Sequence, residues 1–233
     1  MQKKIRIAID GPAASGKSTT ARLLSKKLGY LYIDTGAMYR AATLAVLQDG
    51  IDVNDEQAVE RCVRQNKISL RIANGEQRTY LNDRDVSDLI RTPEINRVIS
   101  IIASYPGVRQ TLIEQQRALA EHGGVVMDGR DIGTVVLPDA ELKVFLIAGL
   151  EERARRRQKE LAQQGIRMSL NDLKDEIANR DKLDSERALG PLRQAKDARI
   201  LDTTHLSIEE QVQTIYRWVQ EILRGEKPRD RVR

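Results

Sequence analysis

Gly11-Pro12-Ala13-Ala14-Ser15-Gly16-Lys17-Ser18 sets a glycine, four arbitrary residues and then Gly-Lys-Ser in a row, the spacing of a loop that wraps phosphate groups. Such a loop must turn its backbone N–H groups inward, which needs the positive φ that glycine tolerates. It must also deliver the anion to a helix N-terminus, where the dipole and the unpaired N–H groups favour negative charge. Lys17 then places a positive charge between the transferred and leaving phosphates. Ser18, with Thr19 behind it, offers a hydroxyl to Mg2+ or to an α-phosphate oxygen. The pattern points to ATP or GTP and by itself names no reaction.

Two further stretches carry arginines at strand ends. Asp34-Thr35-Gly36-Ala37-Met38-Tyr39-Arg40 follows an apolar strand and opens a helix, which in an open α/β sheet is the carboxyl edge where ligands bind. There Arg40 presents a planar fork for a pair of phosphate oxygens, and Thr35 a hydroxyl. Val125-Val126-Met127-Asp128-Gly129-Arg130-Asp131-Ile132-Gly133-Thr134 repeats the arrangement. Asp128 ends its strand as the Mg2+-holding aspartate of phosphate-loop enzymes does, so it is a candidate for the ion or its waters. The alternative for Asp128 or Asp131 is a cap on the next helix. With Arg40 and Arg130 at two strand ends the acceptor reads as an anion, and a monophosphate suits fixed guanidinium groups better than a neutral sugar or alcohol.

These residues need elements to hold them. Ile5 to Ile9 reads as a strand, Gly11 to Gly16 as a loop, and Ala21, Leu24 and Leu28 recur at helical spacing from Lys17 until Gly29 supplies a stop. Further apolar strands fall at Leu31 to Ile33, Val125 to Met127, Leu142 to Ile147 and Ile200 to Leu201. Their alternation with helical segments predicts an α/β fold, a parallel sheet with helices on both faces. Ile68 to Ile72 and Thr79 to Leu81, joined across Asn74-Gly75, predict a small antiparallel insert. Glu151 to Ala188 is charged and helical with few large apolar residues, and is expected to sit outside the core. No internal repeat or low-complexity tract is present.

The chain has 233 residues, of which 40% are hydrophobic, enough for one α/β domain with small inserts. A net charge of +5 among 31% charged residues fits phosphate ligands as well as nucleic acid. Only 3% of the residues are aromatic and the basic ones are interleaved with acids, which argues against stacking or groove-tracking on nucleic acid. Cys62 is the only cysteine, so no internal disulfide or thiolate metal cage is available, and it reads as a small helix residue. His122 and His205 are the only histidines, too separated for a metal site, and read as loop residues. The N-terminus runs from Lys3 and Lys4 into the first strand without a signal-peptide pattern, and no apolar run approaches the roughly 20 residues that span a bilayer. A cytoplasmic protein is expected, with no membrane partner.

The phosphate loop, Asp34 to Arg40, Asp128 to Thr134 and the run Arg180-Asp181-Lys182-Leu183-Asp184-Ser185-Glu186-Arg187 with Pro191-Leu192 together resemble the bacterial cytidylate kinases, of the nucleoside monophosphate kinase family. Order and spacing match over essentially the whole chain. The resemblance implies a P-loop NTPase core over 1–34, 110–150 and 189–224, and a monophosphate-binding region over 35–109 with the antiparallel insert near 67–88. It also implies a helical lid over 151–188, leaving 225–233 as a flexible basic tail outside the pattern. It implies that Thr35, Arg40 and Arg130 hold the acceptor's phosphate, that Ser100, Arg109 and Asp131 read the cytosine, and that Asp184 with Arg180 reads the sugar hydroxyls. Arg187 then points towards the phosphates, and Arg153, Arg156 and Arg157 approach ATP when the lid closes, whereas Arg155 reads as a solvated helix residue. Glu186 and Gly190 stand where small polar or small residues are the pattern.

The implied reaction moves the terminal phosphoryl group of ATP onto CMP or dCMP with Mg2+, in a monomer. Transfer between phosphates needs in-line positioning and neutralisation of spread charge more than a proton acceptor, and Lys17, Arg130, Arg153 and Arg187 are the candidates for that work. Kinases of the same fold for uridylate, thymidylate or a small metabolite such as shikimate would keep the loop and change the acceptor residues. A GTP-dependent switch would need an Asn-Lys-x-Asp stretch, which the chain lacks.

Overall fold

The computed structural model describes residues 4–73, 76–163 and 165–226, with the backbone alone at 72, 73 and 76. The Asn74-Gly75 turn and the tail from 227 onward lie outside the described residues. In chain order the elements are β1 (Arg6–Asp10), α1 (Lys17–Leu28), β2 (Leu31–Asp34), α2 (Thr35–Gln48), α3 (Glu56–Gln65), β3 (Ile68–Ala73), β4 (Glu76–Leu81) and β5 (Arg84–Asp85). There follow α4 (Pro93–Ile102), α5 (Pro106–Ala120), β6 (Val125–Gly129), β7 (Leu142–Ile147), α6 (Leu150–Gln163), α7 (Leu170–Glu186), β8 (Arg199–Asp202) and α8 (Ile208–Leu223).

Two compact units emerge, one of Met1–Tyr32 with His122–Arg233 and one of Ile33–Glu121. The boundary expected at 109/110 falls inside α5, a single continuous helix that belongs wholly to the second unit.

The main sheet has the order β2-β6-β1-β7-β8, with β1 parallel to β6 and β7, and β7 parallel to β8. The central strands carry apolar side chains on both faces because both faces are covered: every residue of β6 is buried, as a parallel sheet requires. Ile7, Ile9, Val126, Val144 and Leu146 pack with Ala21 and Leu24 of α1 and with Val212, Ile215, Trp218 and Val219 of α8. Helix α1 stops where predicted, at Gly29, whose φ of 65° is the left-handed turn a glycine takes without strain. Ser207 and Glu210 close a capping box on α8.

Helices α6 and α7 form a hairpin beside this core with a small apolar centre of their own, Ala154, Leu161, Leu173 and Ile177. That explains how so charged a stretch stays helical: one apolar stripe per helix suffices when the two stripes face each other.

In the second unit β3, β4 and β5 form an antiparallel sheet. The two-residue β5 was not foreseen, since Arg84-Asp85 has no alternating pattern, and it pairs with Tyr80 and Leu81 after Asn82 and Asp83 both take positive φ. Cys62 is a buried residue of α3.

Leu173→Ala removes a fully buried side chain from the four-residue centre of the hairpin, and such truncations cost about 2–5 kcal/mol. Hydrogen exchange in α6 and α7 should accelerate strongly while β1 and β6 keep their protection. Equal acceleration in both places would show that the hairpin has no local stability of its own.

Candidate active site

The loop after β1 takes its shape from backbone constraints. A Cβ on Gly11 would collide with the carbonyl oxygen of Leu146 on the neighbouring strand, so only glycine lets the chain leave the sheet there. Gly16 sits at φ 91° as the N-cap of α1 and has no side chain with which to cap it, which leaves the first-turn N–H groups to an anion. The third residue with positive φ in the loop is not a glycine but Ala14, at φ 57°. A left-handed alanine costs roughly 1–2 kcal/mol, which the fold absorbs while packing the Ala14 methyl against the α6–α7 hairpin.

Lys17 is buried and its Nζ donates to the carbonyl oxygen of Pro12 at 3.2 Å. Burial, with the nearby Arg130 charge adding to it, lowers the lysine to about 7, against the pull of Asp128 and Asp184. Behind it, Ser18 Oγ donates to Asp128 Oδ2 at 2.7 Å and Tyr32 Oη to Asp128 Oδ1 at 2.8 Å. Asp128 thus accepts from two hydroxyls, and it lies one residue before the end of β6. A hydroxyl and a carboxylate converging at this distance form the all-oxygen donor pair that Mg2+ takes, directly or through its waters.

Asp131 stands at the N-cap position of a single π-type turn, Ile132–Val136, yet its side chain makes no capping bond. Those amides are held instead by Asp10, which sequence reasoning passed over: its Oδ1 accepts from Ile132 N–H and its Oδ2 from Gly133 N–H, both at 2.8 Å. The available signal was an acid ending an otherwise apolar strand directly before the glycine loop.

Several of the candidate arginines of this unit are paired with carboxylates. Arg130 Nε donates to Asp184 Oδ2 at 2.7 Å, and Arg187 Nη2 lies 3.5 Å from Asp131 Oδ1. Burial alone would raise Asp184, but Arg130, with Arg180 and Arg187 beyond it, holds its carboxyl below the usual range. Arg153 donates to Asp181 at 2.5 Å and to the carbonyl oxygens of Ala148 and Ala13. Arg156 donates to Glu152, to the Ser15 carbonyl oxygen at 3.2 Å and to Thr203 Oγ1 at 3.1 Å. Both thus grip the backbone of the phosphate loop. Arg157 pairs along α6 with Glu160 and Arg155 with Glu151. Thr203, also passed over, is fully buried and donates to the Ser15 carbonyl oxygen at 3.0 Å; no spacing pattern marks it.

The second unit holds the remaining candidates. Thr35 is buried in the first turn of α2, which Asp34 caps by accepting from Ala37 N–H at 2.9 Å. Arg40 Nη1 donates to Gly36 O at 3.1 Å. Arg109, in the first turn of α5, is 4% exposed, and its Nη1 donates to Tyr39 Oη at 3.4 Å. Tyr39 is therefore one partner of Arg109, a contact that sequence distance concealed. Ser100 is exposed on α4.

A glycine loop running from a buried parallel strand into a helix, with a buried lysine and a serine bonded to a strand-end aspartate, defines a P-loop NTPase fold. A gluconokinase from Sinorhizobium meliloti 1021 shares the fold, with a TM-score of 0.51 at 13% identity over 97% of each chain. Sequence comparison gives the particular family: the model for "Cytidylate kinase" matches residues 7–221. The cytidylate kinase of Bacillus thuringiensis (strain Al Hakam) is 54% identical over 215 residues, 92% of this chain and 96% of that protein. That of Bacillus cereus (strain AH187) gives the same figures. The chain belongs to the cytidylate kinase family and is a nucleoside monophosphate kinase. Among the described residues no helix is long and apolar enough to cross a membrane.

The depressed Lys17 makes a signed prediction. Free Lys17 loses its proton as pH rises through about 7, whereas a bound triphosphate beside the ammonium favours the charged form. ATP binding at pH 8 should therefore take up close to one proton, and affinity should weaken as pH rises above 7. Calorimetry in buffers of different ionisation enthalpy measures the uptake. An uptake that persists unchanged in Lys17→Arg would assign it elsewhere.

Proposed function

We propose that the chain transfers the terminal phosphoryl group of ATP to CMP and dCMP, giving ADP with CDP or dCDP, and that UMP is a poorer acceptor. The observation that carries the choice of base is the carboxylate of Asp131, which is 6% exposed, directly follows Arg130 and is spared from capping the turn it begins. Cytosine presents an amino donor at N4 and acceptors at N3 and O2, so a carboxylate faces N4 while donors, assigned to Arg109 and Ser100, face the others. Uracil sets O4 against the carboxylate and N3–H against the guanidinium, and each group so left unpaired costs about 1–3 kcal/mol.

The phosphate of the acceptor goes to Arg40 and Arg130 with Thr35, and the sugar hydroxyls to Asp184 and Arg180. The phosphate must then compete with Asp184 for Arg130, because the two are paired in the free protein. Backbone N–H groups from Gly11 to Thr19 and Lys17 bind the donor's phosphates. Mg2+, held by Ser18 and Asp128 or by waters on them, supplies further positive charge to the phosphates. Lys17, Arg130 and Arg187 stabilise the charge that spreads over the equatorial oxygens during in-line transfer. No side chain is needed as a base, since the attacking phosphate oxygen is already ionised near pH 7. Arg153 and Arg156 act through the loop they grip, holding its carbonyls outward, and on closure the hairpin of α6 and α7 keeps water from competing as acceptor.

An assay of ADP release against a panel of acceptors tests this reading. CMP and dCMP should exceed UMP and shikimate in kcat/KM, and UMP outpacing CMP would sink the specificity argument. Asp131→Ala should narrow the CMP to UMP ratio by about tenfold or more; an unchanged ratio would remove Asp131 as the reader of the base.

A further inference from the structure

Asp10 is 4% exposed, and the transfer chemistry does not call on it. Burial pushes its carboxyl up to about 6, and the two N–H donors on its oxygens pull the other way. A carboxylate is kept at such a place when both of its oxygens are used. Here each oxygen takes one amide, Ile132 and Gly133, and those are the two residues directly after Arg130 and Asp131. On the other side, Asp10 stands in register with Gly129, the residue directly before Arg130. The short segment carrying Arg130 and Asp131 is thus tied at both ends to one residue of β1.

The tie also resolves an oddity of the turn that follows. Asp131 occupies the N-cap position, where an aspartate ordinarily accepts from the N–H groups ahead of it. Its side chain does not do so, and Asp10 has taken one of those donors, the Gly133 N–H, together with the N–H of Ile132. A cap supplied from the neighbouring strand leaves the Asp131 carboxylate for other partners, of which Arg187 is one.

We propose that Asp10 is a positioning residue for acceptor recognition: by bonding the first amides of the Ile132–Val136 turn in place of Asp131, it aims the Asp131 carboxylate towards its other partners and fixes the backbone that carries Arg130. The proposal rests on the reading of Asp131 as the group that faces the cytosine.

Gly133 belongs to the same device. A Cβ there would lie 3.3 Å from Asp10 Oδ2 and 3.2 Å from Lys143 Cδ, so an alanine would press on the carboxylate from the side of its own amide. It offers an independent way to disturb the tie.

Asp10→Asn keeps the shape and replaces one accepting oxygen by an amide donor that faces an N–H. The variant should keep KM for ATP within about twofold, lower kcat/KM for CMP by about tenfold or more, and narrow the CMP to UMP ratio. Gly133→Ala, which leaves the carboxylate in place, should move the same two quantities in the same direction. It decides the matter if Asp10→Asn does not fold. A merely structural role would lower thermal stability and the fraction of active enzyme while leaving the CMP to UMP ratio and the KM contrast alone, and that result would overturn the proposal. If Asp131→Ala narrows the ratio and both of these variants keep it, the Asp10 inference fails while the base reading stands. If Asp131→Ala leaves the ratio unchanged, the base reading fails, and Asp10 is judged on its KM for CMP against its KM for ATP: a rise confined to CMP supports positioning through Arg130, and parallel changes refute it.

Discussion

The arrangement of the first unit turns on the cost of gathering positive charge. Lys17, Arg130, Arg153, Arg156, Arg180 and Arg187 all belong to it, and two unit charges 4 Å apart repel by about 4 kcal/mol at the effective dielectric of a protein surface. The fold offsets this pair by pair, with Arg130 on Asp184, Arg153 on Asp181 and Arg187 on Asp131. Lys17 is buried and bonds to a carbonyl oxygen in place of a carboxylate, and it is the group whose proton affinity gives way. The site therefore gathers its positive charge already matched, arginine by arginine, to carboxylates of the same unit.

Much of this was legible in the amino-acid order. The glycine loop, its strand and its helix are local features, set by residues within about twenty positions of one another, and Gly29 ends α1 where its backbone freedom predicts. Likewise the β-branched runs of β1, β6 and β7 announce a sheet covered on both faces, since such strands are unstable facing water. Family resemblance, carried by the strand-end arginine motifs and the Arg180 to Arg187 run, named the acceptor class that the spacing of the glycine loop leaves open.

What stayed hidden were interactions made across long stretches of chain. Asp10 meets Ile132 and Gly133, Thr203 meets Ser15, and Tyr39 meets Arg109, and no periodicity joins such partners. Arg153 and Arg156 show why a residue type at the right place is insufficient evidence of its contacts. Each carries the charge suited to a phosphate, and each is engaged with backbone carbonyls of the loop. A guanidinium is a donor of five N–H groups to any oxygen in range, and only the fold decides which oxygen that is.

Those carbonyl contacts follow from the geometry of a phosphate loop. A peptide unit that turns its N–H inward sends its C=O outward, so a loop that offers many amides to an anion must find hydrogen-bond donors for its carbonyl oxygens. Pro12 is satisfied by Lys17, Ala13 by Arg153, and Ser15 by both Thr203 and Arg156. Two of these four partners sit on α6, in the hairpin whose small apolar centre is separate from that of the sheet. The donor's loop is thus held in part by an element whose apolar centre lies outside the main core. A hairpin displaced from the loop would strip Ala13 and Ser15 of two charged donors, leaving Ser15 to Thr203 and Pro12 to Lys17. The hairpin and the backbone of the donor's loop are thus joined directly through the two arginines on α6.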